Sequence, residues 1–263
     1  MRSNLKEMLL IIFFIIASGW ISTDWLYLSL IGVALFNLYL INGNLLKSLW
    51  LVFVPVYLFY RAIHSPDFSI FIQFSDLIMV LIVVNLYFFN KDLLSKELKK
   101  INSFNLFFSM ALIVVLGLVS SYFSKYLNSS LFYLIQLIKF FLVFFISKVI
   151  LADRQTRLST ILLIFVFILF ISILIIFQKI NGAPLGIPAE SQNLFSRFGR
   201  YADESKSLYR PGGITTGPNE MATVLGMSIP LIFCAAMTKN NYNKLLVWSC
   251  LILSMICLFT NSP

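Results

Sequence analysis

Charged side chains are scarce in this sequence of 263 residues. Asp, Glu, Lys and Arg together make up 12% of the chain, whereas hydrophobic residues make up 59% and the mean hydropathy is +0.90. A soluble domain is nearer a quarter charged. A soluble core cannot hide this much apolar side chain, so the composition argues against a soluble globular protein. It predicts an all-α, polytopic membrane helix bundle.

Histidine and cysteine are also rare, and their positions show none of the usual catalytic or metal spacings. His64 is the one histidine of the sequence and lies in a short turn before Pro66, where we favour an ordinary loop residue over a general base. Cys234, Cys250 and Cys257 fall in apolar runs, where cysteine acts as a small apolar residue. The chain has no H-E-x-x-H, no paired CxxC and no Walker loop. We therefore expect no metal and no cofactor.

The formal net charge of +9 does not require a nucleic-acid partner. Cytoplasmic loops of membrane proteins collect Lys and Arg. A nucleic-acid-binding protein would carry its basic residues as a patch on a soluble domain. We expect the lipid bilayer to be a partner of the chain, and no nucleic acid.

Apolar runs predict nine transmembrane helices within a single domain, residues 1–263. We place them near residues 8–21, 25–41, 45–60, 69–89, 104–122, 131–151, 158–177, 218–237 and 245–260. The first run also fits a signal peptide, but a second run follows at once, so we favour an uncleaved helix.

The distribution of Lys and Arg predicts that the N-terminus is cytoplasmic. With that orientation the basic residues on the cytoplasmic side are Arg2, Lys6, Lys47, Lys91, Lys96, Lys99, Lys100, Lys148, Arg154, Arg157, Lys239 and Lys244, against Arg61 and Lys125 in short external loops. The segment 90–100 is the most basic short loop. The long polar segment 178–217 is then external, a periplasmic loop in a bacterium.

One stretch, Arg210 to Glu220, interrupts the apolar pattern with glycine, proline and small polar residues. Arg210 offers a planar fork of donors that matches phosphate oxygens. Gly212 and Gly213 free the backbone to turn its N–H groups toward a ligand. Pro218 suits the first position of a helix whose positive end favours an anion. The alternatives are an anion site and an ordinary loop-to-helix connection.

The long segment also contains a near-helical repeat of apolar residues. Leu194, Phe198 and Tyr201 belong to this repeat, and Arg200 fills a polar position beside it. We expect a short helix here, lying on the bilayer surface or packed on the transmembrane helices.

Ionisable residues also occur within the predicted spans. Lys139 lies in span six, with Gln136 one turn before it, and Asp76 lies in span four. Such groups usually face the bundle interior or a wet cavity. Lys139 is therefore expected to pair with Asp76 or to hold an anionic substrate. The alternative is that both side chains reach toward an interface.

The residues Arg210, Gly213, Pro218, Asn219 and Ala222 follow the pattern Arg, two residues, Gly, then Pro-Asn and Ala leading into an apolar helix. In this pattern the chain resembles the superfamily of O-antigen ligases and Wzy-type O-antigen polymerases of bacterial membranes. The many spans before the motif and the large external loop leading into it agree with the resemblance.

The resemblance implies a glycosyltransferase of the GT-C type in the bacterial inner membrane. Such proteins polymerise or ligate undecaprenyl-diphosphate-linked oligosaccharide on the periplasmic face, in O-antigen and surface polysaccharide biosynthesis, without a metal. Other polysaccharide assembly proteins are further expected partners. The residues expected to bind the diphosphate are Arg210, Gly212, Gly213 and Asn219, with Arg200 and Lys139 as additional candidates. The resemblance assigns no catalytic residue here.

The sequence also departs from the family. Relatives carry more spans and a second periplasmic region, and they continue with Thr-x-Ser-Arg-Gly where this chain reads Thr260-Asn261-Ser262-Pro263. We therefore expect the chain to be the N-terminal part of such a protein, so its own activity stays open, as does the choice between polymerase and ligase. The alternatives are a polysaccharide flippase or secondary transporter, and an inactive membrane remnant.

Overall fold

The computed structural model describes residues 2–21, 23–58, 73–100, 103–125, 127–182, 185–187, 200–201, 209–210, 225–226, 229–230, 232–233 and 244–261. Within these residues the chain is helical apart from short connections and one pair of two-residue strands. The predicted all-α fold is therefore confirmed.

The helices follow one another with short connections wherever the connection is described. They are α1 (Arg2–Trp20), α2 (Asp24–Asn42), α3 (Leu45–Leu58), α4 (Phe74–Phe89), α5 (Lys91–Lys100), α6 (Ser103–Tyr122), α7 (Leu127–Ile150), α8 (Arg154–Asn181) and α9 (Lys244–Asn261). The strands are β1 (Arg200–Tyr201) and β2 (Tyr209–Arg210). The pairs 225–226, 229–230 and 232–233 are also helical.

One helix lies where a loop was expected. The basic segment after α4 forms α5, and Leu93 and Leu94 of this helix pack against the core. The expectation was wrong because charge was taken as the mark of a loop. Leu, Lys and Glu are strong helix formers, and two leucines at the start of the segment find an apolar surface to cover.

The helix α8 packs against α1, α3 and α9, and α3 packs against α1, α2, α4, α7 and α8. One side of α8 is buried, while Ile173 and Phe177 on its surface are 45% and 57% exposed. Phe165, Phe167, Ile168 and Ile175 are all at most 2% exposed. The longest helix among the described residues thus supplies part of the core, together with α3.

Side-chain contacts fix the direction of three helices. Trp50 near the start of α3 donates its indole N–H to Thr160 near the start of α8 (2.9 Å). Lys47 of α3 forms an ion pair with Glu7 near the start of α1. The N-terminal ends of α1, α3 and α8 therefore lie together, and we call this end of the bundle the basal end.

The helices α8 and α9 run parallel to each other. The Cys250 thiol contacts the carbonyl oxygen of Phe165 (3.4 Å), and the Cys257 thiol contacts that of Ser172 (3.3 Å), so both contacts join residues 85 apart in sequence. Because both contacts join residues with the same sequence separation, α8 and α9 run in the same direction. The chain that connects them therefore has to return to the basal end before α9 begins. Both cysteines are buried, as expected, whereas Cys234 lies outside the described residues.

Among the described residues, two helices are long and apolar enough to cross a membrane, α2 and α8. Shorter apolar helical stretches are Leu45–Leu58, Phe74–Phe89, Phe108–Tyr122 and Trp248–Cys257. These helices support the prediction of a membrane protein. The nine-span arrangement stays a prediction.

Candidate anion-binding site

Two of the predicted site residues, Arg200 and Arg210, lie in the short ribbon formed by β1 and β2. The strands pair antiparallel, with Arg200 opposite Arg210 and Tyr201 opposite Tyr209. The other residues of the predicted motif, Gly212, Gly213 and Asn219, lie outside the described residues. The ribbon thus brings together two arginine positions that are ten residues apart in sequence.

The register decides which positions share a face. Residues directly opposite each other in an antiparallel pair belong to the same face, with Cβ atoms about 4.5–5.5 Å apart. Successive residues of a strand alternate between faces. Arg200 and Arg210 therefore occupy one face of the ribbon, and Tyr201 and Tyr209 occupy the other.

Like charges placed directly opposite each other weaken a strand pair. An anion bound between two guanidinium groups would remove that repulsion and accept charge-assisted hydrogen bonds from both. The arginine face of the ribbon is therefore a candidate anion-binding site. We call it the arginine pair, consisting of Arg200 and Arg210.

The helix expected around residues 194–202 is wrong at Arg200 and Tyr201, which form strand β1. The near-helical spacing of apolar residues is a local signal, whereas the partner of β1 lies further along the chain in Tyr209 and Arg210. Non-local pairing overrode the local pattern. The residues 194–199 and 202 of the expected helix lie outside the described residues.

The expected pairing of Lys139 with Asp76 is confirmed. Lys139 Nζ donates to Asp76 Oδ2 at 2.6 Å, and the two side chains are 19% and 18% exposed. The same carboxylate oxygen accepts from the backbone N–H of Gln73 (2.9 Å), in a capping box at the start of α4. The charge of Lys139 is thus balanced within the bundle.

The ion pair lies deep along α7. Lys139 is twelve residues beyond the start of α7 at Leu127, which corresponds to about 18 Å along the helix axis. One turn before it, the side-chain nitrogen Nε2 of Gln136 is buried and has no hydrogen-bond partner among the described residues. The contact between α4 and α7 is therefore polar at this depth and has an unused donor.

A second polar cluster, at the basal end, was not recognised from the sequence. Lys47 Nζ lies 3.2 Å from Glu7 Oε1 and donates to Asn42 Oδ1 at 2.8 Å. The side chains of Lys47 and Glu7 are 7% and 3% exposed. Lys47 was expected to be one more exposed cytoplasmic cation. The signal that could have revealed the pair is that Glu7 is the one acidic residue before the first apolar run.

Asp153 caps the N-terminus of α8 beside this cluster. Its Oδ2 accepts from the backbone N–H of Thr156 (2.8 Å) and from the Thr156 hydroxyl (2.7 Å). Burial acts to raise the pKa of Asp153. Hydrogen bonds from Thr156 and from the Gln155 backbone, together with the charge of Lys47, outweigh that effect and hold the pKa below its ordinary value of 3.8.

Comparison with family models, with curated proteins and with solved structures found no match to this chain. Among the described residues no group of three or more His, Cys, Asp or Glu side chains is arranged to hold a metal ion.

Proposed function

We propose that the chain is a polytopic membrane protein whose helices cross the bilayer with the basal end in the cytoplasm. Large apolar side chains are exposed along several helices, among them Phe36 of α2 (62%), Phe88 of α4 (70%) and Leu116 of α6 (59%). Such surfaces are unusual on a soluble monomer. Contact with the hydrocarbon chains of lipids would be more favourable for these apolar surfaces than contact with water.

The directions of the helices support the topology. The N-terminal ends of α1, α3 and α8 lie together, and the parallel arrangement of α8 and α9 calls for one return of the chain between them. These features agree with nine crossings, of which the eighth contains the helical pairs 225–226, 229–230 and 232–233. The exposed basic residues Lys6, Arg154 and Arg157 belong to the basal end, as the positive-inside rule requires of a cytoplasmic side.

In this orientation the C-terminal end of α8 and the segment 178–217 face the outside, the periplasm in the case of a bacterial inner membrane. We propose that the protein acts there on undecaprenyl-diphosphate-linked oligosaccharide, by polymerising it or ligating it to an acceptor. The observation that carries this proposal is the register that places Arg200 opposite Arg210. A diphosphate has oxygens enough for both guanidinium groups, and each can bind them in a bidentate manner.

The proposed chemistry is glycosyl transfer. An acceptor hydroxyl oxygen forms a bond to the anomeric carbon of the donor sugar and releases its proton to water, while the bond from that carbon to the diphosphate oxygen breaks. Undecaprenyl diphosphate leaves with the bonding electrons. The arginine pair would stabilise the negative charge that develops on the leaving oxygen, the role of preorganised donors in group transfer.

A lipid-glycan flippase is the second candidate, and the observation that favours it is the ion pair Lys139–Asp76 within the bundle. Ionisable residues at membrane depth often mark substrate or proton pathways. Transporters, however, usually show two related halves, and no internal repeat is evident in this sequence. Glycan transfer therefore remains the leading proposal.

The test is a complementation experiment with Arg210→Ala, and with Arg154→Gln as a matched control that removes an exposed arginine from the basal end. We expect Arg210→Ala to abolish long-chain surface polysaccharide while the protein level persists, and Arg154→Gln to leave the glycan ladder unchanged. Normal ladders with Arg210→Ala would refute the proposal. Reconstituted vesicles that move a labelled lipid-linked glycan without joining glycans would favour the flippase.

A further inference from the structure

Three of the four lysines of the basic helix α5 occupy positions on one side of the helix, opposite those of Leu94 and Leu98. Its sequence KDLLSKELKK contains four lysines against Asp92 and Glu97. At 100° per residue, the positions of Leu94 and Leu98 share one face, one turn apart. The position of Lys96 lies opposite them, with those of Lys99 and Lys100 on either side of it, whereas the position of Lys91 lies on the leucine side, next to that of Leu98.

The side chains of Lys91 to Lys96 are described. Leu93 and Leu94 are half-buried and pack against the core, while Lys91 and Lys96 are exposed. The helix packs against α4, α6 and α7. Both leucines are therefore covered by the protein, and both lysines are left accessible.

The residues just before α5 are exposed and aromatic. Tyr87, Phe88 and Phe89 at the end of α4 are 58%, 70% and 78% exposed. Aromatic side chains of this kind gather at the boundary between the hydrocarbon core and the headgroups. The chain thus passes, within a few residues, from an aromatic belt into a helix rich in lysine.

We propose that α5 lies in the headgroup layer and that its four lysines, Lys91, Lys96, Lys99 and Lys100, bind the phosphates of anionic phospholipids. The occupant is a lipid because α5 directly follows the exposed aromatic residues at the end of α4, and the charge of its lysines is opposite to that of the anionic headgroups. Amphipathic helices with lysine on the polar face are typical of membrane interfaces. This inference rests on the membrane embedding and not on the proposed glycan chemistry.

The experiment uses the whole protein reconstituted in phosphatidylcholine vesicles that contain a trace of spin-labelled phosphatidylglycerol or spin-labelled phosphatidylcholine. Electron paramagnetic resonance reports the fraction of each label that is motionally restricted by the protein. We expect the wild type to restrict phosphatidylglycerol in preference to phosphatidylcholine. The preference should decrease with added salt, because the Debye length shrinks from about 30 Å at 0.01 M to about 3 Å at 1 M.

The informative variant replaces the four lysines by glutamine, K91Q/K96Q/K99Q/K100Q. We expect its preference for phosphatidylglycerol to fall about fivefold or more, which is the effect of losing one fully engaged lysine near the surface. The variant K91R/K96R/K99R/K100R keeps the charge and should keep the preference. This second variant keeps the test decisive if the glutamine variant is poorly folded, since loss of the preference with all four charges retained would also overturn the proposal.

The matched control removes four exposed basic residues from other helices, K6Q/K148Q/R154Q/R157Q. It should change the preference much less than the α5 variant does. An equal decrease in both would indicate a general effect of net charge and would overturn the proposed site. An unchanged preference in K91Q/K96Q/K99Q/K100Q would overturn it as well, and would direct attention to an acidic protein partner.

Discussion

Arg200 lies directly opposite Arg210 in the antiparallel pairing of β1 with β2. Like charges at directly opposite positions weaken a strand pair, and a two-residue ladder contributes few hydrogen bonds to offset such a repulsion. A dianion bound between two such positions would attract both positive charges and would stabilise the strand pair. Ligand binding and ordering of the ribbon should therefore favour each other.

The ion pair between Lys139 and Asp76 gives the first prediction. Lys139→Met leaves the Asp76 carboxylate largely buried without its cation, and we expect a loss of about 3 kcal/mol in the free energy of unfolding. The double variant Lys139→Met/Asp76→Asn removes both charges and should be more stable than Lys139→Met alone. Unfolding of the purified protein in mixed micelles measures both. Lys148→Met, at the exposed end of the same helix, is the control and should change stability little.

If Lys139 and Asp76 did not interact, the loss of stability in Lys139→Met/Asp76→Asn would equal the sum of the losses in Lys139→Met and in Asp76→Asn. Additivity would contradict the buried ion pair, because residues in direct contact show a coupling energy in a double-mutant cycle.

The basal cluster gives the second prediction. Lys47→Met leaves Glu7 buried without a cation, and we expect a destabilisation of about 3–5 kcal/mol. Glu7→Gln keeps a side-chain oxygen within reach of Lys47 Nζ and should cost less. Lys6→Met, which removes the neighbouring exposed lysine, serves as the control. Thermal unfolding followed by circular dichroism measures the stability of each variant. Equal stability of Lys47→Met and Lys6→Met would contradict a buried ion pair between Lys47 and Glu7.

The cap of α8 gives the third prediction. Asp153→Ala removes the acceptor for the Thr156 N–H and should cost about 1 kcal/mol at neutral pH. Asp153→Asn keeps an acceptor oxygen and should cost less.

The pH dependence of the same cap can be tested with these variants. The pKa of Asp153 is lower in the folded protein than its ordinary value of 3.8. The stability that the carboxylate contributes is therefore fully present above pH 3.8 and is lost as the pH falls through the folded-state pKa. Wild type should lose more stability below pH 3.8 than Asp153→Asn does. Parallel stability curves for the two proteins would contradict the depressed pKa.

The orientation gives the fourth prediction. In a background without the native cysteines, Lys125→Cys lies in the connection between α6 and α7, and Lys96→Cys lies in α5. With the N-terminus in the cytoplasm, a membrane-impermeant thiol reagent should label Lys125→Cys in intact spheroplasts. It should label Lys96→Cys only after permeabilisation. The reverse pattern would place the basal end outside and move the arginine pair into the cytoplasm.

Much of the helical frame could be predicted from the sequence, because the length and apolarity of each run are local properties. The predicted run 25–41 became α2 (Asp24–Asn42), and the run 245–260 became α9 (Lys244–Asn261). The same local rule failed at α5, where a high density of charge masked good helix formers and two core leucines.

The polar sites could be predicted only in part. Lys139 and Asp76 stood out because each is an isolated charge in an apolar run, and burial forces such charges to find each other. Lys47 did not stand out, because its place near the start of a helix resembles that of an exposed anchor. The arginine pair depends on strand register, a non-local property that no spacing in the sequence encodes.

The central claim is that the arginine pair binds a lipid-linked diphosphate, and its most direct test is the affinity of the purified protein for undecaprenyl diphosphate. The proteins to compare are the wild type, Arg200→Gln, Arg210→Gln, Arg210→Lys and the control Arg154→Gln. We expect each glutamine substitution in the pair to weaken binding by about tenfold or more, since a charge-assisted hydrogen bond contributes about 1.5–3 kcal/mol. Arg210→Lys should recover only part of the loss, because a single ammonium group does not reproduce the bidentate fork. Affinity equal to that of the wild type in both Arg200→Gln and Arg210→Gln would contradict the account.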